Sequence, residues 1–204
     1  MVIFSTIADA TVEHIVLTYS ALFISIVIAI PLAFASLYST RLASIVIKFA
    51  NLAQAVPSFA VVAIVVPLIG IGFTPAIIAI MLRALLPIIK NSYIGLTNID
   101  PLLIEYAKGI GLTDWQINRH IRIPNAYPAM FAGIKFAAIL ANSIAILTAI
   151  IGSGGLGELV FEGLIAFNTD KILAGALPAI VLALFIDVSF SFLERRLTPV
   201  YLKG

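Results

Sequence analysis

The run IVLTYSALFISIVIAIPLAFASLY, residues 15–38, contains no charged side chain. Because an α-helix rises about 1.5 Å per residue and the hydrocarbon core of a bilayer is about 30 Å thick, roughly 20 apolar residues in a row can cross it. The whole chain has the same character, since 62% of its 204 residues are hydrophobic and 11% are charged. A soluble domain has about 25% charged residues. The composition therefore excludes a soluble globular domain and indicates a membrane protein.

Four further apolar runs have the length of a membrane span, which predicts an all-α bundle of five transmembrane helices in a single domain, residues 1–204. The predicted spans are Ile15–Tyr38, Asn51–Ile71, Pro75–Tyr93, Pro128–Ile151 and Ile172–Leu193. Proline removes a helix hydrogen bond, so Pro57 and Pro67 should bend or break the second span. No basic region precedes the first span, which is expected to remain in the protein rather than to be a cleaved signal.

The distribution of lysine and arginine predicts how the bundle is oriented. Ten of the twelve basic residues would lie on one side of the membrane, whereas the opposite loops hold only Lys171 and Arg83 lies inside a span. The ten are Arg41, Lys48, Lys90, Lys108, Arg119, Arg122, Lys135, Arg195, Arg196 and Lys203. Cytoplasmic loops carry the excess of positive charge. We therefore expect a multi-pass protein of the cell membrane with its N-terminus outside and its C-terminus in the cytoplasm.

The longest connection between spans, residues 94–127, is called the connecting segment below. Its stretch LLIEYAKGIGLTDWQINRHIRIP, residues 102–124, predicts two short helices. Asp100 can cap the first helix with Pro101 at its first position, Gly109 and Gly111 interrupt, and Thr113 can cap the second. The apolar side of these helices is too small for a span, so a docking element is predicted. The alternative is an amphipathic helix on the lipid headgroups, with lipid contacts at Lys108, Arg119 and Arg122.

The connecting segment resembles the "EAA" signature of the permease subunits of ABC importers. That pattern is Glu-Ala-Ala, three residues, Gly, nine residues, Ile, one residue and Leu-Pro, and every spacing agrees here. The matching residues are Glu105, Ala107, Gly111, Ile121 and Pro124, with Tyr106 and Ile123 in place of Ala and Leu. The likeness extends from Leu52 to Leu164, through runs such as NLAQAVPSFAVVAIVVPLIGIGFTPAIIAI and IGSGGLGELVFEGL. These runs resemble the glycine betaine, carnitine and choline (osmoprotectant) branch, whose five-span core is methionine-permease-like.

The resemblance implies a function and a set of partners. The signature would form a coupling helix seated in a groove of a cytoplasmic ATP-binding subunit, which holds ATP and Mg²⁺. An extracytoplasmic solute-binding protein would deliver the solute. The solute would then pass, by alternating access, between this chain and a second copy or a similar permease. The predicted coupling residues are Glu105, Tyr106, Ala107, Gly111, Leu112, Thr113, Asp114, Trp115, Ile121 and Pro124.

The chain itself lacks the usual signatures of catalysis. It has no phosphate-binding loop, no cysteine, and no histidine cluster with metal-ligand spacing. The net charge of +2 does not favour nucleic-acid binding. We therefore expect no catalytic or metal site, no cofactor held by this chain, and no enzyme activity.

Span four carries small residues at every fourth position from Ala129 to Ala149. Such a stripe allows close approach of another helix. One interpretation places span four at the subunit interface and along the solute path, and the other is ordinary packing within the chain. The predicted path or interface residues are Ala137, Ala141, Asn142, Ser143, Ala145 and Thr148.

Two further features lie in or near the spans. Arg83 is ionisable and intramembrane, and Asp187 is its candidate ion-pair partner. A glycine run follows span four and predicts an irregular turn, then a short amphipathic piece ending near Phe167. The resemblance suggests an outer gate there, and the alternative is a simple turn. The glycines are Gly152, Gly154, Gly155 and Gly157.

Three rival functions remain at this point. A methionine or other amino-acid permease would belong to the same class of ABC importer. An ion-coupled secondary transporter or channel would need an ionisable site at mid-membrane, usually acidic, and only Asp187 comes near. A purely structural bundle is the third.

Overall fold

The structure is a computed structural model that describes residues 2–198. Lys203, counted above on the cytoplasmic side, lies outside the described residues. Within them the secondary structure is helical, without strands, which confirms the predicted all-α class. The α-helices are α1 Val2–Ala35, α2 Thr40–Ala55, α3 Ser58–Ile69, α4 Phe73–Thr97, α5 Pro101–Gly109, α6 Asp114–Ile117, α7 Ile123–Thr148, α8 Leu156–Ile165 and α9 Thr169–Leu197.

Among the described residues, four continuous helices are long and apolar enough to span a bilayer, and α2 with α3 makes a fifth span if the bent pair is counted as one. The four are Ser5–Tyr38, Phe73–Thr97, Asp114–Ile151 and Thr169–Leu197. The five-span prediction thus agrees with the fold when the broken helix is included. The direction in which the bundle crosses the membrane stays a prediction.

The first predicted span begins too late. Helix α1 starts at Val2 rather than at Ile15 and is 34 residues long. No glycine or proline interrupts residues 2–14, and the polar side chains of Glu13 and His14 both find partners on other elements. Charge at the start of an apolar run therefore did not mark the helix boundary.

The second predicted span, Asn51–Ile71, is not one continuous helix. Helices α2 and α3 meet at 102° across a short break. Val56 is extended, with φ −73° and ψ 129°, as sterics require of the residue before Pro57. Pro67, by contrast, lies inside α3 without ending it. The predicted interruption is confirmed at Pro57 alone, and Asn51 lies inside the preceding helix.

Helix α4 lies at the centre of the bundle and packs closely on α7. A Cβ added to Gly95 would come within 2.8 Å of Ala129 Cβ, and one added to Gly133 within 2.8 Å of Asn91 Cβ. Farther along α7, Ala137, Ala141 and Ala145 are fully buried against the same core. The small-residue stripe of span four therefore packs inside the chain, and its interpretation as a subunit interface is wrong.

The fourth span begins earlier than Pro128. Helix α6 continues into α7 through one π-helical turn, Asn118–Arg122, so that residues 114–151 form a single apolar helix. Pro124, which has no N–H to donate, lies directly after the π turn within this continuous helix. Lys135 consequently lies well inside α7, not in the cytoplasmic connection where the charge count placed it.

The predicted turn and short helix after span four are both present. Gly152, Gly154 and Gly155 have φ between 74° and 80°, a region that favours glycine. Helix α8 follows, ends at Ile165, and packs on α9 so closely that a Cβ on Gly175 would lie 2.6 Å from the carbonyl oxygen of Leu156.

Candidate coupling segment and intramembrane polar groups

The first helix of the connecting segment starts as predicted. The side chain of Asp100 accepts a hydrogen bond of 2.9 Å from the backbone N–H of Leu102, and Pro101 occupies the first helical position. The cap satisfies a donor that the helix cannot satisfy itself. Helix α5 is thereby fixed at one end and stops at Gly109.

The turn between α5 and α6 depends on Gly111. Its φ of +87° lies in the region that side-chain-bearing residues rarely adopt. Nothing lies within 4 Å of the place where its Cβ would be, so the backbone conformation, rather than close packing, requires glycine. The N–H of Leu112 closes the turn on the carbonyl of Ala107 at 3.0 Å.

Helix α6 is short but rigidly capped. The N–H of Gln116 donates to Thr113 Oγ1 at 3.4 Å, and the N–H of Thr113 donates to Gln116 Oε1 at 2.8 Å. These reciprocal bonds form a capping box. Because α6 runs through the π turn into α7, a displacement of α6 moves the start of a membrane span.

The predicted coupling residues of the connecting segment differ in how exposed they are. Trp115 is 62% exposed and Ile110, which the sequence did not single out, is 79% exposed. Ala107 is only 4% exposed, so its prediction as a contact residue is wrong and it packs inward. Leu112, Ile121 and Pro124 are half-buried. The exposed members of the predicted set are Glu105, Tyr106, Gly111, Thr113, Asp114 and Trp115.

Side-chain hydrogen bonds tie the connecting segment to the membrane helices. Arg122 Nη1 donates to the carbonyl of Leu96 near the end of α4 at 2.7 Å, and Asn118 Nδ2 donates to Tyr38 Oη at 2.7 Å. The guanidinium of Arg119 lies 5.0 Å from the Trp115 ring centroid. Arg122 is thus bonded to α4, whereas Arg119 stacks on an exposed ring of its own helical run. The Arg122 bond favours a docked, rigid element, and lipid contact at Lys108 and Arg119 stays a prediction.

The predicted ion pair between Arg83 and Asp187 is not formed. Arg83 Nη1 instead donates to the carbonyls of Ala53 at 2.7 Å and Val56 at 2.9 Å. These acceptors lie at the α2–α3 break. Pro57 has no N–H to donate to the carbonyl of Ala53 in the helical i+4 pattern, and that carbonyl also accepts a 3.3 Å bond from the N–H of Val56. The cation is therefore held by the negative end of α2 rather than by a carboxylate.

Asp187 pairs with Lys135 across α7 and α9, at 3.0 Å between Oδ1 and Nζ. The ammonium also donates to Ser191 Oγ at 3.2 Å. Sequence reasoning missed this pair because it placed Lys135 in a loop. The available signal was the position of Lys135, seven residues beyond Pro128 and within the predicted span itself.

The residues predicted to line the solute path also differ in how exposed they are. Ala137, Ala141, Ala145 and Thr148 are buried within the chain and line no open path there. Ser143 is exposed and, with Asn142, faces a groove of about 330 Å³ between α7, α8 and α9, called the α7–α9 groove below. Its other lining residues are Ile146, Val160, Ala176, Ala179, Ile180 and Ala183.

Asn142 joins three helices. Its Nδ2 donates to the carbonyl of Ala179 on α9 at 3.2 Å, and its Oδ1 lies 3.2 Å from Nε2 of the fully buried His14 on α1. At the glycine turn, the N–H of Gly155 donates to Glu13 Oε2 at 3.0 Å. The turn assigned to an outer gate is therefore bonded to α1, and its gating role stays a prediction.

The helical membrane fold with an exposed, capped segment of EAA spacing defines a class of protein, the transmembrane subunit of an ABC importer. Residues 21–199 match the family described as "Binding-protein-dependent transport system inner membrane component". The chain belongs to this family of permease subunits. It is a transport protein of the membrane rather than an enzyme, and such systems also comprise an ATP-binding subunit and a substrate-binding protein.

Particular relatives are similar over nearly the whole chain. The carnitine transport permease protein OpuCB of Listeria monocytogenes is 40% identical over 93% of this chain and 87% of its own. The glycine betaine/carnitine/choline transport system permease protein OpuCB of Bacillus subtilis (strain 168) is 39% identical over 95% of this chain and 89% of its own. A structure of the MetNI methionine ABC transporter in an inward-facing conformation shares the fold, with TM-score 0.83, 22% identity, and coverage of 96% and 98% of the two chains. The methionine-permease-like fold is thus confirmed.

Proposed function

We propose that this permease imports small quaternary ammonium osmoprotectants, with glycine betaine, carnitine and choline as the candidate solutes. The observation that carries the proposal is the 39–40% identity, over more than nine tenths of the chain, to permeases whose names specify these solutes. The likeness to the methionine transporter is much lower in identity and supports the fold alone.

The exposed face of the connecting segment is the proposed docking site for the ATP-binding subunit, which would hold ATP and Mg²⁺. Trp115 and Tyr106 offer large exposed rings there, and Glu105 and Asp114 offer charge. Closure of the ATPases would displace α6, and the π turn would pass that displacement to α7. A rigid capped element suits this role because it transmits displacement without unfolding.

We further propose that the transport unit contains two permeases, either two copies of this chain or one copy with a similar partner. Five spans enclose too little space for a polar solute to cross without contacting lipid. The solute-binding protein would dock on the outer side, near the glycine turn and α8. Tight recognition by aromatic faces is expected in that protein rather than here, so purified permease alone should not bind betaine tightly.

Uptake into proteoliposomes tests the proposal directly. The permease would be reconstituted with its ATP-binding subunit and binding protein, and radiolabelled glycine betaine, carnitine, choline and methionine supplied separately. We expect ATP-dependent uptake of at least one quaternary ammonium solute and none of methionine. Methionine uptake would instead establish the amino-acid importer. Uptake driven by a proton gradient without ATP would establish the secondary transporter.

A further inference from the structure

The ion pair between Lys135 and Asp187 joins α7 and α9 within the predicted membrane spans. Lys135 is twelve residues from the start of α7 and Asp187 is ten residues from the end of α9. At about 1.5 Å per residue, both lie roughly 15–18 Å from these two positions. Since the last turn of α9 carries Arg195 and Arg196, the pair lies inside the predicted spans but toward their predicted cytoplasmic ends. Both charges therefore sit at the depth that a crossing solute must pass.

The pair is only partly covered by the chain. The side chain of Lys135 is 29% exposed and that of Asp187 is 48% exposed. Charged groups in membrane spans face the bundle interior or a water-filled cavity, because contact with lipid tails is costly. The open side of this pair is accordingly expected to face water or a polar space rather than lipid tails.

The surface of α9 distinguishes a polar face from a lipid face. Leu177, Val181, Phe185 and Val188 are large, apolar and exposed. A different face, at helical spacing, holds small and polar residues together with Ile180. That face carries Ala176, Ile180, Ala183, Asp187 and Ser191.

This second face continues the α7–α9 groove. Ala183 lines the groove and is one turn before Asp187, while Ser143 lies two turns beyond Lys135 on α7. Small side chains, a hydroxyl and an amide therefore line the groove, and the ion pair lies beyond this lining on the same two helices. The groove, whose lining includes Ala183, therefore lies about one turn of α9 from the charged pair.

We propose that Lys135 and Asp187 form a transit site for zwitterionic quaternary ammonium solutes, an inference that rests on the proposed function. The Asp187 carboxylate would contact the quaternary ammonium group, which has no N–H to donate and binds by charge. The Lys135 ammonium, with the Ser191 hydroxyl, would donate to the solute carboxylate. A zwitterionic solute replaces each residue's partner, so no charge is left unpaired, whereas choline leaves Lys135 with the Ser191 hydroxyl alone.

The exchange of partners predicts discrimination between solutes. Glycine betaine and carnitine carry a carboxylate and need both residues, whereas choline has no carboxylate and needs Asp187 alone. Since an internal ion pair competes with the solute, binding is weak and permits release. This agrees with the expectation that the permease alone binds betaine poorly.

The test measures uptake of the three radiolabelled solutes by the complete reconstituted importer. Lys135→Met should lower uptake of glycine betaine and carnitine tenfold or more and leave choline within about twofold. Asp187→Asn should lower all three tenfold or more. Arg196→Met removes a cation from the end of the same helix α9 and should leave all three unchanged. If Lys135→Met changed the uptake of all three solutes to the same extent, the proposal would be overturned.

A double variant guards against simple misfolding. Lys135→Met/Asp187→Leu leaves no unpaired charge, so it should insert and hydrolyse ATP normally on stimulation by the loaded binding protein. We expect it to lose uptake of all three solutes, and full uptake would make the pair a structural lock only. If wild-type importer carries none of the three solutes, the proposed function fails together with this site. If the wild type carries them and the variants of Lys135 and Asp187 transport all three solutes as well as the wild type does, only the proposed site fails.

Discussion

The connecting segment and the α7–α9 groove owe their shapes to different kinds of interaction. In the connecting segment, local backbone geometry and caps decide the shape of α5, the turn and α6, and the bonds that form these caps and this turn join residues at most five apart. In and beside the groove, polar side chains find partners more than thirty residues away, as Asn142 does with Ala179 in the groove and Lys135 does with Asp187 beside it. The first region can transmit a displacement as a unit, while the second can exchange partners.

The largest change in ATP-dependent uptake should come from Gly111→Val in the connecting segment. Valine at φ +87° stores about 1–3 kcal/mol of backbone strain. The turn should relax and shift α6 against α5, so ATP-dependent uptake should fall about tenfold or more while membrane insertion persists. Gly109→Val is the matched control, because Gly109 also has open space around it but no positive φ. Equal uptake by the two variants would show that the turn geometry is irrelevant to coupling.

Arg83→Met should have the next largest effect, on stability. Each hydrogen bond from a charged donor contributes about 1.5–3 kcal/mol, and Arg83 donates two at the α2–α3 break. We expect the free energy of unfolding in mixed detergent to fall by about 3 kcal/mol.

Combining Arg83→Met with Asp187→Asn sharpens this prediction. The two effects should add within about 0.5 kcal/mol, because the residues share no partner. Coupling above about 1 kcal/mol would mean that Arg83 and Asp187 do interact.

A double-mutant cycle on His14 and Asn142 probes how strongly α1 and α7 are joined. His14→Ala should cost about 1–3 kcal/mol, since it leaves the buried Asn142 carbonyl oxygen without its donor. The coupling energy should be about 0.6 kcal/mol, the average for polar contacts in membrane bundles. Ser143→Ala, on the adjacent exposed position, is the control and should change stability by less than about 0.5 kcal/mol. A coupling energy of zero would show that the contact between His14 and Asn142 does not help to join α1 to α7.

Thr113→Ala should produce the smallest change. Loss of an N-cap costs about 1 kcal/mol and frays α6 without altering Gly111. Uptake should fall by about twofold, measured as the initial ATP-dependent rate. Thr113→Ser retains the capping oxygen and should restore the rate, and a loss as large as that of Gly111→Val would contradict the ranking.

The two regions also differ in how far sequence predicted them. The caps at Asp100 and Thr113 could be predicted because capping involves residues two or three apart. The partner of Arg83 could not, since it depends on the 102° bend that brings Ala53 and Val56 to α4. Apolar run length gives the presence of a span, but not the rotation of the helix about its axis. That rotation turns Lys135 toward α9.

The measurement that tests the account most directly is the membrane side and partner of Trp115. The chain contains no cysteine, so Trp115→Cys provides a single thiol for a membrane-impermeant maleimide. We predict labelling only from the cytoplasmic side, with protection when the ATP-binding subunit is bound. Labelling from the outside, or labelling unaffected by that subunit, would contradict the coupling role of the connecting segment.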